Sequence, residues 1–196
     1  MSITDNWQTL VKEQQYNDLL MEWNAKINLV SRQKKNVLDL IEDSKLFLQG
    51  IDFTPGINIL DLGTGGGIPG IILAVHHPEA NFTLVDSIQK KINVVADIAK
   101  RMELTNVITV CGRAEELAGK GILEKQSFDY VVSRSVAVLQ DLCAWSKDLI
   151  KPGGKLVTLK GGDIHGEIDK TRRLPYVKNI HRKDFGERIL LTVDFV

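Results

Sequence analysis

An α/β fold built on a mostly parallel sheet is predicted by three features of this 196-residue chain. From residue 57 onward, short apolar runs alternate with helix-periodic segments, the pattern of strands joined by crossover helices. One such run, Ile57-Asn58-Ile59-Leu60-Asp61-Leu62, passes directly into Gly63-Thr64-Gly65-Gly66-Gly67-Ile68-Pro69-Gly70, a strand, a tight turn and a helix start. The C-terminal residues then break the alternation with two runs joined by a short glycine-containing loop, which reads as an antiparallel hairpin.

Before the sheet, Tyr16, Leu19, Leu20, Trp23 and Ile27 recur at helical spacing, and Val37, Leu40, Ile41, Ser44 and Leu48 do so again. These are two amphipathic helices forming a helical extension over residues 1–55, with residues 56–196 as the sheet-bearing domain. The break between the helices holds Arg32, Lys34 and Lys35, a solvated basic turn or a phosphate contact. Strands are expected at 57–62, 81–85, 107–111, 128–133 and 155–160, with helices near 69–77, 89–102 and 136–150. Strands at 176–182 and 188–196, joined by 183–187, complete a seven-stranded sheet.

Composition narrows the function classes. Hydrophobic residues at 43% and charged residues at 26% are ordinary for a globular domain, and a formal net charge of zero argues against indiscriminate nucleic-acid binding. Cys111 and Cys143 stand far apart in no metal or redox spacing, so neither zinc nor a disulfide framework is expected. No basic-then-apolar leader and no apolar run of membrane-spanning length is present, which points to a cytoplasmic protein. His76 and His77 sit side by side at a helix end, where the dipole accounts for them without metal or general-base chemistry.

The glycine loop has two cofactor readings. Gly65, Gly67 and Gly70 satisfy G-x-G-x-x-G, the dinucleotide fingerprint of nicotinamide and flavin enzymes. Read from Asp61, the same stretch is D-x-G-T-G-x-G, which resembles the first motif of Rossmann-like S-adenosylmethionine-dependent methyltransferases and, unlike the other reading, accounts for Asp61. A P-loop is excluded because no Lys-Ser or Lys-Thr follows Gly70.

Ligands of open α/β sheets bind beyond the carboxyl ends of the strands. Those ends carry Asp86, a ribose acceptor or a helix cap completed by Gln89; Ala114 and Glu115, where an adenine edge would lie; and Arg134 and Lys160. The two cations are placed to meet a cofactor carboxylate or an RNA phosphate. No nucleophile–base pair and no paired carboxylates at catalytic spacing stand out. That suits attack by a guanine N7 lone pair, which has no proton to lose and needs only alignment and dehydration.

Taken in order, Trp23-Asn24, Ile27-Asn28-Leu29, Asp43-Ser44, the Asp61 to Gly70 loop, Leu84-Val85-Asp86-Ser87, Asn106-Val107, Arg113-Ala114-Glu115, Ser133-Arg134, Leu159-Lys160-Gly161 and Gly186-Glu187-Arg188 resemble the 16S ribosomal RNA guanine-N7 methyltransferase family, known as RsmG and formerly as glucose-inhibited division protein B. The resemblance implies a class I methyltransferase fold, S-adenosylmethionine as cofactor, and a guanine of 16S RNA in the small ribosomal subunit as substrate. It implies cofactor contacts at Gly63, Ile68, Ala114, Glu115 and Arg134 beside the class-level Gly65, Gly67 and Asp86, with Lys160 on the RNA side; Arg134 and Lys160 are the expected substrate contacts, and a monomer is expected. Other expectations stay open: a methyltransferase of the same class acting on another RNA or a small molecule, or a non-catalytic ribosome-assembly binding protein. Leu40 and Ile189 stand where the family usually carries histidine.

Overall fold

The computed structural model describes residues 3–31 and 33–196, with side chains from Trp7 onward; Arg32 of the basic break lies outside the described residues. Seven strands form one sheet in the order β3-β2-β1-β4-β5-β7-β6. The strands are β1 Asn58–Leu62, β2 Asn81–Asp86, β3 Val107–Cys111, β4 Phe128–Arg134, β5 Ile150–Gly161, β6 Val177–Phe185 and β7 Arg188–Phe195. The first five are parallel, and β7 inserts antiparallel between β5 and β6. The mostly parallel sheet with an antiparallel C-terminal strand is therefore present as the sequence predicts.

Near-continuous apolar runs make β1, β2 and β4 central, since a parallel sheet is covered on both faces. One face carries α1 Ile3–Asn24, α2 Leu38–Lys45, α3 Gly70–His76 and α4 Gln89–Arg101; the other carries α5 Ala114–Gly119, α6 Leu139–Ser146 and α7 His165–Thr171. Tyr16, Leu20, Val37, Ile41 and Phe47 are buried in the same core cluster as Ile71, Ile72 and Ile98. The N-terminal helices thus complete the layer over α3 and α4.

Several boundaries differ from the sequence reading. The first helix ends at Asn24, before Ile27, because the Asn24 carboxamide oxygen accepts the N–H groups of Leu29 and Val30 at 2.8 and 3.0 Å and turns the chain. The helix expected at 136–150 shrinks to α6: Ser135 has φ +55, the Glu167 carboxylate takes the Leu139 N–H, and Ile150 already pairs with Phe128 as the start of β5. Helices α5 and α7, too short to show a period, were not expected. The hairpin loop tightens to Gly186-Glu187, with residues 183–185 paired into β6.

Strand order reverses between β1, whose end at Leu62 leads into the glycine turn, and its neighbour β4. Such a switch point opens a crevice at the carboxyl ends of the strands.

Candidate functional site

The glycine loop at the end of β1 is tied down from three directions. Asp61 is fully buried, and its Oδ2 accepts the Thr64 hydroxyl at 2.6 Å and the Gly70 N–H at 2.9 Å, joining strand end, loop and helix start. Its Oδ1 has no partner among the described residues, and burial lifts the carboxyl from 3.8 to about 6. The N–H groups of Gly63 and Thr64 both donate to the Val85 carbonyl at 2.9 Å. From α1, the Tyr16 hydroxyl donates to the Gly66 carbonyl at 2.9 Å, with the ring buried.

Gly63 is required twice over. Its φ is +74, and a Cβ there would lie 2.5 Å from Val136 Cγ2, on the loop that closes the crevice from the β4 side. Gly67 faces the other way: a Cβ there would meet Ile71 Cγ1 at 2.7 Å, so this glycine serves packing against α3 and lies outside the crevice lining.

Asp86, at the end of β2 and 7% exposed, accepts the Gly65 N–H on Oδ2 at 3.0 Å and the Ile88 N–H on Oδ1 at 2.9 Å, with Lys91 Nζ 3.7 Å from Oδ2. The cap completed by Gln89 is absent; Gln89 Nε2 instead donates to Asn93. Asp86 therefore clasps the glycine loop to the second strand.

Three contiguous cavities follow the strand ends. The first, about 320 Å³, lies between Leu62, Gly63, Val85, Asp86, Ala114, Glu115 and Trp145. The second, about 390 Å³, shares Gly63, Asp86 and Val136 with it and adds Leu29, Val30, Gly65, Ile68, Lys91 and Arg134. The third, about 190 Å³, shares Arg134 and Ser135 with the second and is lined by Asp43, Lys160, Gly161 and Arg188. The structure thus gathers Gly63, Gly65, Ile68, Asp86, Ala114, Glu115 and Arg134 around one crevice. A cavity of about 510 Å³ beside His76, Pro78 and Asn106 lies instead at the amino ends of β2 and β3.

Arg134 and Lys160 differ in what holds them. Arg134 Nη1 lies 3.3 Å from Asp43 Oδ2, and Asp43 also accepts Arg188 Nε on both oxygens at 2.9 and 3.0 Å. Lys160 borders the third cavity, but its Nζ donates to the Ala137 carbonyl at 2.6 Å and to Glu167 at 2.7 Å.

Sequence reasoning assigned no place in the crevice to Asp43, Arg188, Tyr16, Leu29, Val30 or Trp145; of these, Tyr16, Asp43 and Arg188 meet partners 50 to 145 residues away in the chain. Leu40 and Ile189, the two departures from histidine, are both buried, one in each core cluster. His76 Nε2 meets Glu13 at 2.7 Å while His77 stacks on Phe53 with centroids 3.4 Å apart, so the pair does point different ways. Cys143 is buried, which pushes its thiol up to about 12; Cys111 is only partly covered.

Comparison with known proteins places these features in context. Residues 9–187 match the sequence profile of a family described as rRNA small subunit methyltransferase G. The chain is 42% identical over 192 residues to ribosomal RNA small subunit methyltransferase G of Chlorobaculum tepidum, covering 94% of this chain and 85% of that one. It is 45% identical over 160 residues to the protein of the same name from Bacteroides thetaiotaomicron, covering 76% and 73%. Among solved structures, a SAM-dependent methyltransferase from Aquifex aeolicus superposes with a TM-score of 0.61 at 13% identity, over 81% of this chain and 92% of that one, a likeness of fold.

Proposed function

Since the chain belongs to the rRNA small subunit methyltransferase G family, we propose that it methylates N7 of a guanine in 16S ribosomal RNA of the small subunit, using S-adenosylmethionine. The observation that carries the cofactor reading is the Asp86 clasp on Gly65 at the wall between the first two cavities. A carboxylate has about four lone-pair sites. Each Asp86 oxygen holds one backbone donor, which leaves capacity for ribose hydroxyls.

The donor set fits a nucleoside with a charged amino-acid tail. Leu62, Val85 and Trp145 give the first cavity apolar walls for a purine, with Ala114 and Glu115 at its edge. Gly63, Gly65 and Ile68 border the passage to Arg134, whose guanidinium suits a carboxylate. Gly67 supports the turn from behind. When bound, S-adenosylmethionine supplies an electrophilic sulfonium methyl group. Guanine N7 carries a free lone pair, so the work of these residues is alignment and exclusion of water. Lys160 borders the acceptor side with its charge held by Glu167, a position from which it meets RNA if that pair opens.

In this reading residues 1–55 act as a helical extension of the methyltransferase domain of 56–196, and the protein works as a cytoplasmic monomer. No helix among the described residues is long and apolar enough to cross a membrane.

The deciding experiment is transfer of labelled methyl from S-adenosylmethionine to undermethylated small ribosomal subunits, with protein-free 16S RNA and transfer RNA alongside, followed by mapping of the modified base. Label on a guanine N7 of the subunit is the expected result. Label confined to transfer RNA, or none with any substrate, overturns the proposal.

A further inference from the structure

The third cavity contains a charge arrangement that the cofactor reading does not use. Asp43, 8% exposed on α2, accepts Arg188 with both oxygens through Nε alone. This fixes the guanidinium by its inner edge. The two Nη groups have no hydrogen-bond partner among the described residues, and the side chain is 41% exposed. The opposite residue in the β5–β7 register is Gly161, where even an added Cβ would only touch Nη1, at 3.8 Å, and both residues line the third cavity.

The other cation of the cavity is accounted for, since Lys160 is held by Glu167 and the Ala137 carbonyl. Arg134 sits on the shared wall with the second cavity, tied to the same Asp43. Asp43 thus divides the crevice, holding one guanidinium at the cofactor side and presenting another at the outer rim.

We propose that Arg188, oriented by Asp43, is a phosphodiester-binding residue for the RNA strand on the acceptor side of the crevice. A guanidinium presents paired donors in a rigid fork that matches two phosphate oxygens, and an Nε already satisfied by a buried carboxylate costs little further ordering. Asp43 is a positioning residue in this scheme. It keeps both arginines in place, and its two charge pairs tie α2 to the starts and ends of the sheet strands that form the rim.

The inference rests on the methyltransferase reading, and its test separates the two. Full-length wild type and Arg188→Gln are compared for S-adenosylmethionine Kd by calorimetry, and for Kd toward undermethylated small ribosomal subunits across a potassium chloride series. We expect Arg188→Gln to weaken subunit binding about five- to twentyfold and to reduce the slope of log K against log salt by roughly 0.7 to 0.9, the value of one phosphate contact. The cofactor Kd should stay within about twofold. Arg188→Lys, which keeps the charge and loses the fork, should restore the slope while recovering only part of the affinity. Unchanged subunit affinity and slope in Arg188→Gln, or a loss confined to cofactor binding, overturns the subsite alone. Absence of methyl transfer to subunits by wild type overturns the parent reading and the subsite with it.

Discussion

Burial lifts the Asp61 carboxyl to about 6, so its effect on stability runs opposite to that of a salt-bridged carboxylate. Between the unfolded value of 3.8 and the folded value of about 6, the native state holds a proton at Asp61 that the unfolded chain has released. Unfolding free energy attributable to this group therefore falls as pH rises through that window and levels off above it. A shift of this size corresponds to about 3 kcal/mol. Urea denaturation of wild type and Asp61→Asn should show the difference between them moving against wild type by that order from pH 4 to pH 7. Asp86 is the residue-scale test of cofactor binding. Asp86→Ala removes an ionised acceptor from the crevice and releases the Gly65 N–H, so its S-adenosylmethionine Kd should rise about ten- to hundredfold by calorimetry, in line with about 1.5 to 3 kcal/mol for hydrogen bonds to charged groups. Asp86→Asn, which keeps one acceptor, should lose less.

At the scale of elements, the glycine loop is shaped by the N-terminal helix, 50 residues earlier in the chain at the point of contact. α1 reaches it through the Tyr16 hydroxyl, which satisfies the Gly66 carbonyl from a fully buried position. Tyr16→Phe leaves that carbonyl without its donor and should cost about 1 to 2 kcal/mol in chemical denaturation. Because Gly65 and Gly66 both line the second cavity, the same variant should bind S-adenosylmethionine more weakly, measurable in the same calorimetric titration. The element fits are otherwise made by single polar residues. Asn106 Nδ2 lies within 3.1 to 3.2 Å of the Ala74, His77 and Ala80 carbonyls and closes the α3–β2 turn against the start of β3. Trp23 Nε1 donates to Asp97 at 2.8 Å and fastens α1 to α4. Several residues that carried the family resemblance thus act in this structure as joints between elements.

Across the whole molecule, the N-terminal helices and the sheet share one core. Tyr16, Leu20, Val37, Ile41 and Phe47 are each 1% exposed or less. At about 1.5 to 3 kcal/mol per buried large side chain, losing them removes on the order of 10 kcal/mol, comparable to the entire net stability of a typical domain. A fragment of residues 56–196 is therefore expected to be insoluble or molten, with near-UV circular dichroism lost and dye-binding apolar surface gained; a cooperative unfolding transition in that fragment would contradict this. Local periodicity and short motifs were legible in the order of the amino acids. Five parallel strands, the strand-to-helix glycine turn, the antiparallel ending and the strand-end positions of Asp86, Ala114, Glu115 and Arg134 could all be read directly, because period and turn chemistry act within a few residues. Short helices such as α5 and α7 could not, since one or two turns leave no period to detect. Which side chains face the crevice was settled by the packing of the folded chain. Gly67 turned inward onto Ile71, Lys160 was drawn to Glu167, Leu40 and Ile189 were absorbed into the core, and Asp43 and Arg188, 145 residues apart, met at the rim. A pairing such as Asp43 with Arg188 is set by how layers pack and strands register, and the residues on either side of each partner bear no trace of it.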